Sequence, residues 1–160
     1  MSLVEELEKK LCGGKFRLLN EKMYKNKGIT KDEARKYHLY YSEQAKKWPQ
    51  HPTKLVIEKI QDTTPDARIA DLGCGDAELA RTFKNVSSFD RHPVSDKIVR
   101  AELDSVPVED GTFDVAVHSL SLMANYISKI VKETNRVLRI GGVWYIAEIR
   151  SRIKSNRLAS

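Results

Sequence analysis

The stretch IADLGCGDAELA, residues 69–80, constrains the fold of this chain more than any other. A short apolar run is interrupted by a carboxylate, Asp71, and closed by two glycines, Gly73 and Gly75, before a helix-forming segment begins. An apolar run of that length bounded by glycine reads as a buried strand. Glycine lacks Cβ, so the backbone can turn tightly there and another group can lie against it. The alternation continues downstream. VSSFD reads as a strand, IVRAEL as a short strand, FDVAVHSLSL as a strand running into a loop, YISKIVKETNRVL as a helix and GGVWYIAEI as a strand. Strands alternating with helices predict an α/β fold, a mostly parallel sheet with helices on both faces.

Upstream the pattern is helical. Leu3, Leu7 and Leu11 stand at helical spacing, and Phe16, Leu19 and Met23 continue it until Gly28. Thr30 followed by Glu33 is the signature of a capping box, and the helix it opens is predicted to reach about Lys47. Pro49 and Pro52 end that helix, and Pro52 can open the next, TKLVIEKIQ. The division expected from this pattern is a helical extension over 1–62 and a core over 63–160, one compact domain.

Charge is uneven. Residues 1–60 carry 14 Lys/Arg against 8 Asp/Glu, residues 61–145 carry 10 against 13, and residues 146–160 carry 4 against 1. Basic flanks around an acidic middle suit a polyanionic partner such as RNA, and equally describe ordinary solvated helix faces. No apolar run approaches the roughly 20 residues of a membrane span, so no membrane partner is expected. Cys12 and Cys74 form no metal or disulfide framework, which suits a reducing compartment.

In open α/β sheets, ligands bind beyond the carboxyl ends of the strands. Asp90 closes VSSFD 17 residues after Gly73, where a carboxylate can accept both hydroxyls of a ribose. Asp104 is expected at the end of the third strand, within reach of an adenine. A dinucleotide fingerprint needs a third glycine where this chain has Glu78, whose carboxylate would repel a pyrophosphate. A Gly-Lys-Ser/Thr phosphate loop is absent. The cradle therefore suits an adenosine without phosphates, of which S-adenosylmethionine is the common example.

With FRLLNEKMY, YHLYYSEQAKKWPQHP, IADLGCGDAELA, FDVAVHSLSLM, ETNRVLRIGG and AEIRSRI, the chain resembles the nucleomethylin family of ribosomal RNA-processing methyltransferases, within the Rossmann-like class I S-adenosylmethionine-dependent enzymes. The resemblance implies methylation of adenosine N1 in large-subunit ribosomal RNA, in the nucleolus within the nucleus, with S-adenosylhomocysteine as product. It implies that Gly73 and Gly75 lie under the amino acid part of the cofactor and that Asp90 binds its ribose. Asp104 and Ser105 would flank the adenine, Ser119 would line the pocket and His38 would reach the methionine end. Ser105 stands where the family more often has Met, and Ala124 where it usually has Gly. The class I fold adds two further strands after the fifth. Lacking them, VWYIAEI would be an open apolar edge, so either the sequence is a fragment or something else covers that edge.

The chemistry asks for positioning only, with no metal and no covalent residue. Adenine N1 lies on the Watson–Crick edge, so the target must be single-stranded or flipped out. Tyr37, Tyr40, Tyr41 and Trp48 are either packing residues or stacking platforms for bases. Asp71 is expected to bond the amides of its own turn, and His118 to pack. The competing readings are a methyltransferase of a protein or small molecule, and a non-catalytic binding module in a pre-ribosomal or chromatin silencing complex. Oligomeric state is not legible.

Overall fold

The computed structural model describes residues 2–25, 28–122 and 126–148. Two compact units divide the chain between His51 and Pro52.

The first unit is a helix pair. Helix α1 (Leu3–Tyr24) runs unbroken through Gly13 and Gly14, and α2 (Lys31–Ala45) follows. Thr30 caps α2 as its spacing predicts: the Glu33 amide donates to the Thr30 hydroxyl at 3.2 Å, and the Thr30 amide donates to the Glu33 carboxylate at 2.9 Å. That carboxylate also accepts from Lys22 of α1 at 2.7 Å, so one acidic side chain caps one helix and ties it to the other. Between the helices, Phe16 stacks on Tyr37 with ring centroids 5.4 Å apart, and Cys12, Ala34 and Tyr37 are buried.

The second unit begins with α3 (Pro52–Thr63) and contains the whole sheet: β1 (Ile69–Leu72), β2 (Val86–Asp90), β3 (Val99–Arg100), β4 (Phe113–Ser119) and β5 (Leu138–Ala147). The short α4 (Glu78–Thr82) follows β1, and α5 (Ile127–Val137) precedes β5. The order is β3-β2-β1-β4-β5 and every pairing is parallel. The chain therefore reverses its direction of travel across the sheet between β1 and β4, beside the glycine motif. Alternate side chains sort to the two faces. Ile69, Val115 and Val117 pack with Val56 and Ile60 of α3 and Leu79 of α4; Ala70, Leu72, Phe89 and Ala116 pack with Val137 of α5. Helices on both faces are as the alternation predicts. Because α3 buries its apolar side on the sheet, the observed division falls before this helix, at 51/52, where the sequence pattern placed it after, at 62/63.

Two strands differ from expectation. β3 holds only Val99–Arg100, because the following segment folds into a turn in which the Ser105 amide donates to the Glu102 carbonyl at 3.1 Å. Asp104 therefore lies in that turn, not at a strand end. β5 starts directly at the last turn of α5, and its partner on β4 jumps from Leu138 opposite Phe113 to Val143 opposite Val115. Gly141 and Gly142 sit in the bulge so formed. A Cβ on Gly142 would come within 2.9 Å of the Arg139 carbonyl.

The loop between the Glu102–Ser105 turn and β4 is held by α5. Arg136 donates to the carbonyls of Val106 and Val108 at 2.9 and 2.8 Å and to Asp110 at 2.7 Å, while Glu133 accepts from the Val106 amide at 2.6 Å. Arg136, the first arginine of ETNRVLRIGG, thus ties α5 to this loop.

Candidate cofactor site

The turn after β1 is built from backbone groups that β2 satisfies. Gly73 and Gly75 both take left-handed φ, +76° and +58°. The amides of Gly73 and Cys74 donate to the Phe89 carbonyl at 2.8 and 3.0 Å, and the Gly75 amide donates to the Asp90 carboxylate at 3.0 Å. The other Asp90 oxygen accepts from the His92 amide at 2.8 Å. Asp90 therefore fastens the glycine turn to the end of β2. Each of its oxygens keeps a second lone pair, and the residue remains 9% exposed.

What lies against Gly73 is another part of the same chain. A Cβ there would stand 2.4 Å from the Ser121 Cβ. Ser121, in the segment leaving β4, donates its hydroxyl to the Leu72 carbonyl at 2.7 Å. The preceding Leu120 adopts φ +53°, a strained value for a branched side chain, to bring it there.

Asp71 does not cap its own turn. The turn amides go to Phe89 and Asp90, and Asp71 Oδ2 is buried without a partner in a residue only 2% exposed. Burial first, then the carboxylates of Asp90, Asp76 and Glu78, push its carboxyl up to about 7. The same burial, with Asp71 and Asp90 nearby, holds the Cys74 thiol far above its usual range. His118 packs: it is fully buried, its Nδ1 accepts from Trp144 Nε1 at 2.9 Å, and burial pulls its pKa down to about 3.

Of the residues singled out from sequence, Gly73, Gly75 and Asp90 come together as one hydrogen-bonded corner. Ser119 stands at the carboxyl end of β4, its hydroxyl 2.9 Å from that of buried Thr53 in the first turn of α3. Asp104 is half-buried and Ser105 exposed in the turn after β3. His38 is half-buried on α2 in the first unit, edge-on to Tyr37 with centroids 5.7 Å apart. Tyr37, Tyr41 and Trp48 form an aromatic ladder with Phe16. Ala124 lies outside the described residues. Ser121 and Thr53 were not singled out from sequence, and neither were Arg91, Glu102 and Tyr126, which meet beside Asp90; only proximity in the fold reveals them.

A family model described as a hypothetical methyltransferase matches residues 2–160. The chain belongs to this methyltransferase family. Among curated relatives, Ribosomal RNA-processing protein 8 of Caenorhabditis briggsae is 37% identical over 95% of this chain and 49% of its own length. The Arabidopsis thaliana protein of the same name is 35% identical over 97% of this chain and 57% of its own. A Schizosaccharomyces pombe relative, 34% identical over 94% of this chain and 54% of its own length, is named 25S rRNA (adenine(645)-N(1))-methyltransferase. The chain spans about half the length of these relatives. A Methanococcus maripaludis chain, solved as a candidate S-adenosyl-L-methionine-dependent methyltransferase, shares the fold with a TM-score of 0.61 at 18% identity, over 82% of this chain and 72% of that one.

Proposed function

We propose that this family member binds S-adenosylmethionine at the corner between β1 and β2 and methylates N1 of an adenosine in large-subunit ribosomal RNA, working in the nucleolus. The observation that carries the reading is the Asp90 carboxylate. It is fixed against the Gly75 amide beside the reversal point of the sheet, with acceptor capacity left for two ribose hydroxyls. The unpartnered, buried Asp71 oxygen behind the turn also suits a corner that receives a polar ligand. The name of the S. pombe relative supports the choice of adenine N1 and of ribosomal RNA.

When bound, S-adenosylmethionine supplies a methyl group already activated on a sulfonium. The protein's part is to bind and orient. Asp90 would take the ribose, the Gly73–Gly75 backbone would hold the amino acid part, Asp104 and Ser105 would flank the base and Ser119 would line the wall. Adenine N1 carries its own lone pair, so no side chain has to remove a proton, and neutral His118 is not called on as a base. Holding two reactants aligned can supply roughly 7–11 kcal/mol. The lysines and arginines concentrated in residues 1–60 offer the RNA phosphates a basic surface.

The test is methyl transfer from tritiated S-adenosylmethionine to an RNA oligonucleotide with one unpaired adenosine, beside the same oligonucleotide carrying 1-deazaadenosine. Labelling of the first alone is expected. Labelling of both, or of neither, would contradict the assignment.

A further inference from the structure

Three side chains, two from beyond the ends of β2 and β3 and one from the start of α5, meet next to Asp90. Arg91, half-buried, donates through Nε to Glu102 at 2.7 Å and through its terminal nitrogen to the Tyr126 hydroxyl. Glu102 follows β3, and Tyr126 is the residue that opens α5. Arg91 is also the middle residue of the turn that the Asp90 carboxylate closes by accepting from the His92 amide. The main chain of that turn is held as well, since the Asp90 carbonyl accepts from the Ala101 amide at 3.0 Å. Burial, the first influence on Tyr126, raises its phenol pKa. The phenol therefore stays neutral, with its own proton, and its oxygen accepts from the guanidinium.

This arrangement has little to offer the stability of the fold. Arg91 and Glu102 side chains are 36% and 52% exposed, and ion pairs in that setting contribute little. Its geometric consequence is larger. A guanidinium is planar, and two partners on different elements fix its plane and its stem. Fixing the stem fixes the turn from Asp90 to His92, and that turn sets where the Asp90 carboxylate points.

We propose that Arg91, held by Glu102 and Tyr126, is a positioning residue that keeps the Asp90 carboxylate aimed for the ribose of the cofactor. The inference rests on the reading of Asp90 as the ribose ligand. Arg91 touches Asp90 through the turn and needs no contact with the cofactor. It acts as one unit with its two partners, so breaking either side of the tie has the same consequence as breaking both.

The experiment is calorimetric titration with S-adenosylhomocysteine of four proteins: wild type, Arg91→Lys, Tyr126→Phe and the double variant. Arg91→Lys keeps the charge and loses the planar fork; Tyr126→Phe keeps the ring and loses the acceptor. Each single change is expected to weaken binding about five- to tenfold, and the double variant no further than either single, the mark of coupled groups. Tm is expected to stay within about 2 °C of wild type in all three variants, as an exposed pair predicts. Binding at wild-type strength in the single variants, losses that multiply in the double, or a fall in Tm matching the fall in affinity would each overturn the proposal while leaving the cofactor site standing. Absence of binding in the wild type would overturn both.

Discussion

Strands β1 and β5 both carry apolar residues in one parallel sheet, and they have opposite fates. All four residues of β1 are buried; none of the ten in β5 is. Ile140 is 100% exposed, and Val143 and Ile146 are 40% and 42% exposed. The cause is not hydrophobicity. β1 has a strand on each side and a helix layer on each face, whereas β5 among the described residues pairs only with β4 and starts in a bulge. Burial in this fold follows from the number of neighbours a strand has. The glycine corner grows from a strand held on both sides, whereas among the described residues the edge strand leaves Ile140, Val143 and Ile146 exposed.

The largest expected difference follows from truncating one side chain in each strand. Ile69→Ala in β1 removes a fully buried side chain and is expected to cost about 2–5 kcal/mol in urea unfolding. Ile146→Ala in β5 is expected to cost less than about 1 kcal/mol. Equal costs would break the contrast.

Gly73→Ala comes next. It places a Cβ 2.4 Å from the Ser121 Cβ at a φ of +76°. Left-handed strain of about 1–2 kcal/mol and overpacking of about 1–3 kcal/mol give an expected loss of about 2–5 kcal/mol. Adding Ser121→Gly is expected to return the overpacking part and leave the strain. If Gly73→Ala alone is tolerated, the close approach is not what demands glycine.

Another expected effect appears in pH dependence. Asp71 has a folded value of about 7, above that of an unfolded aspartate, so its ionisation opposes folding. Its effect is nil below about pH 4 and grows as pH rises to about 7. His118, with a folded value of about 3, acts oppositely: the unfolded chain takes up the proton first, so stability falls as pH drops from about 6.5 towards 3. Relative to wild type, Asp71→Asn is therefore expected to gain stability between about pH 4 and 7. His118→Phe is expected to gain relative stability as pH falls below about 6.5. Urea midpoints across that range check both, and parallel curves for either variant would contradict its assignment. The smallest change is Val143→Lys. It should shift stability by under about 0.5 kcal/mol while reducing aggregation measured by light scattering, as a charge on an exposed edge does.

Much of this architecture is legible in the sequence because it is set by neighbours a few residues apart. The Thr30–Glu33 capping box, the VSSFD strand and the glycine turn each follow from local chemistry, and the structure places them where the pattern does. What was not legible depends on distant contacts. Ser121 reaches Gly73 across 48 positions, Arg91 reaches Tyr126 across 35, and nothing local in either announces it. IVRAEL has strand composition throughout, yet β3 stops at Arg100 because the Glu102 carbonyl is taken by the Ser105 amide in a turn. The position of Asp71 suits a capping carboxylate, but β2 already satisfies the amides it would cap. The leucines of α1 mislead in another way. Leu7 and Leu11 keep helical spacing yet lie on the exposed side, while Cys12 and Phe16 face α2.

The proposed function requires that the corner of Gly73, Gly75 and Asp90 receive a nucleoside. The most direct test is calorimetric titration of the chain with S-adenosylhomocysteine, beside Asp90→Asn checked by circular dichroism to be folded. Saturable binding at one site per chain, weakened about tenfold or more in Asp90→Asn, is the predicted result. No saturable binding, or equal affinity in the two folded proteins, would contradict it.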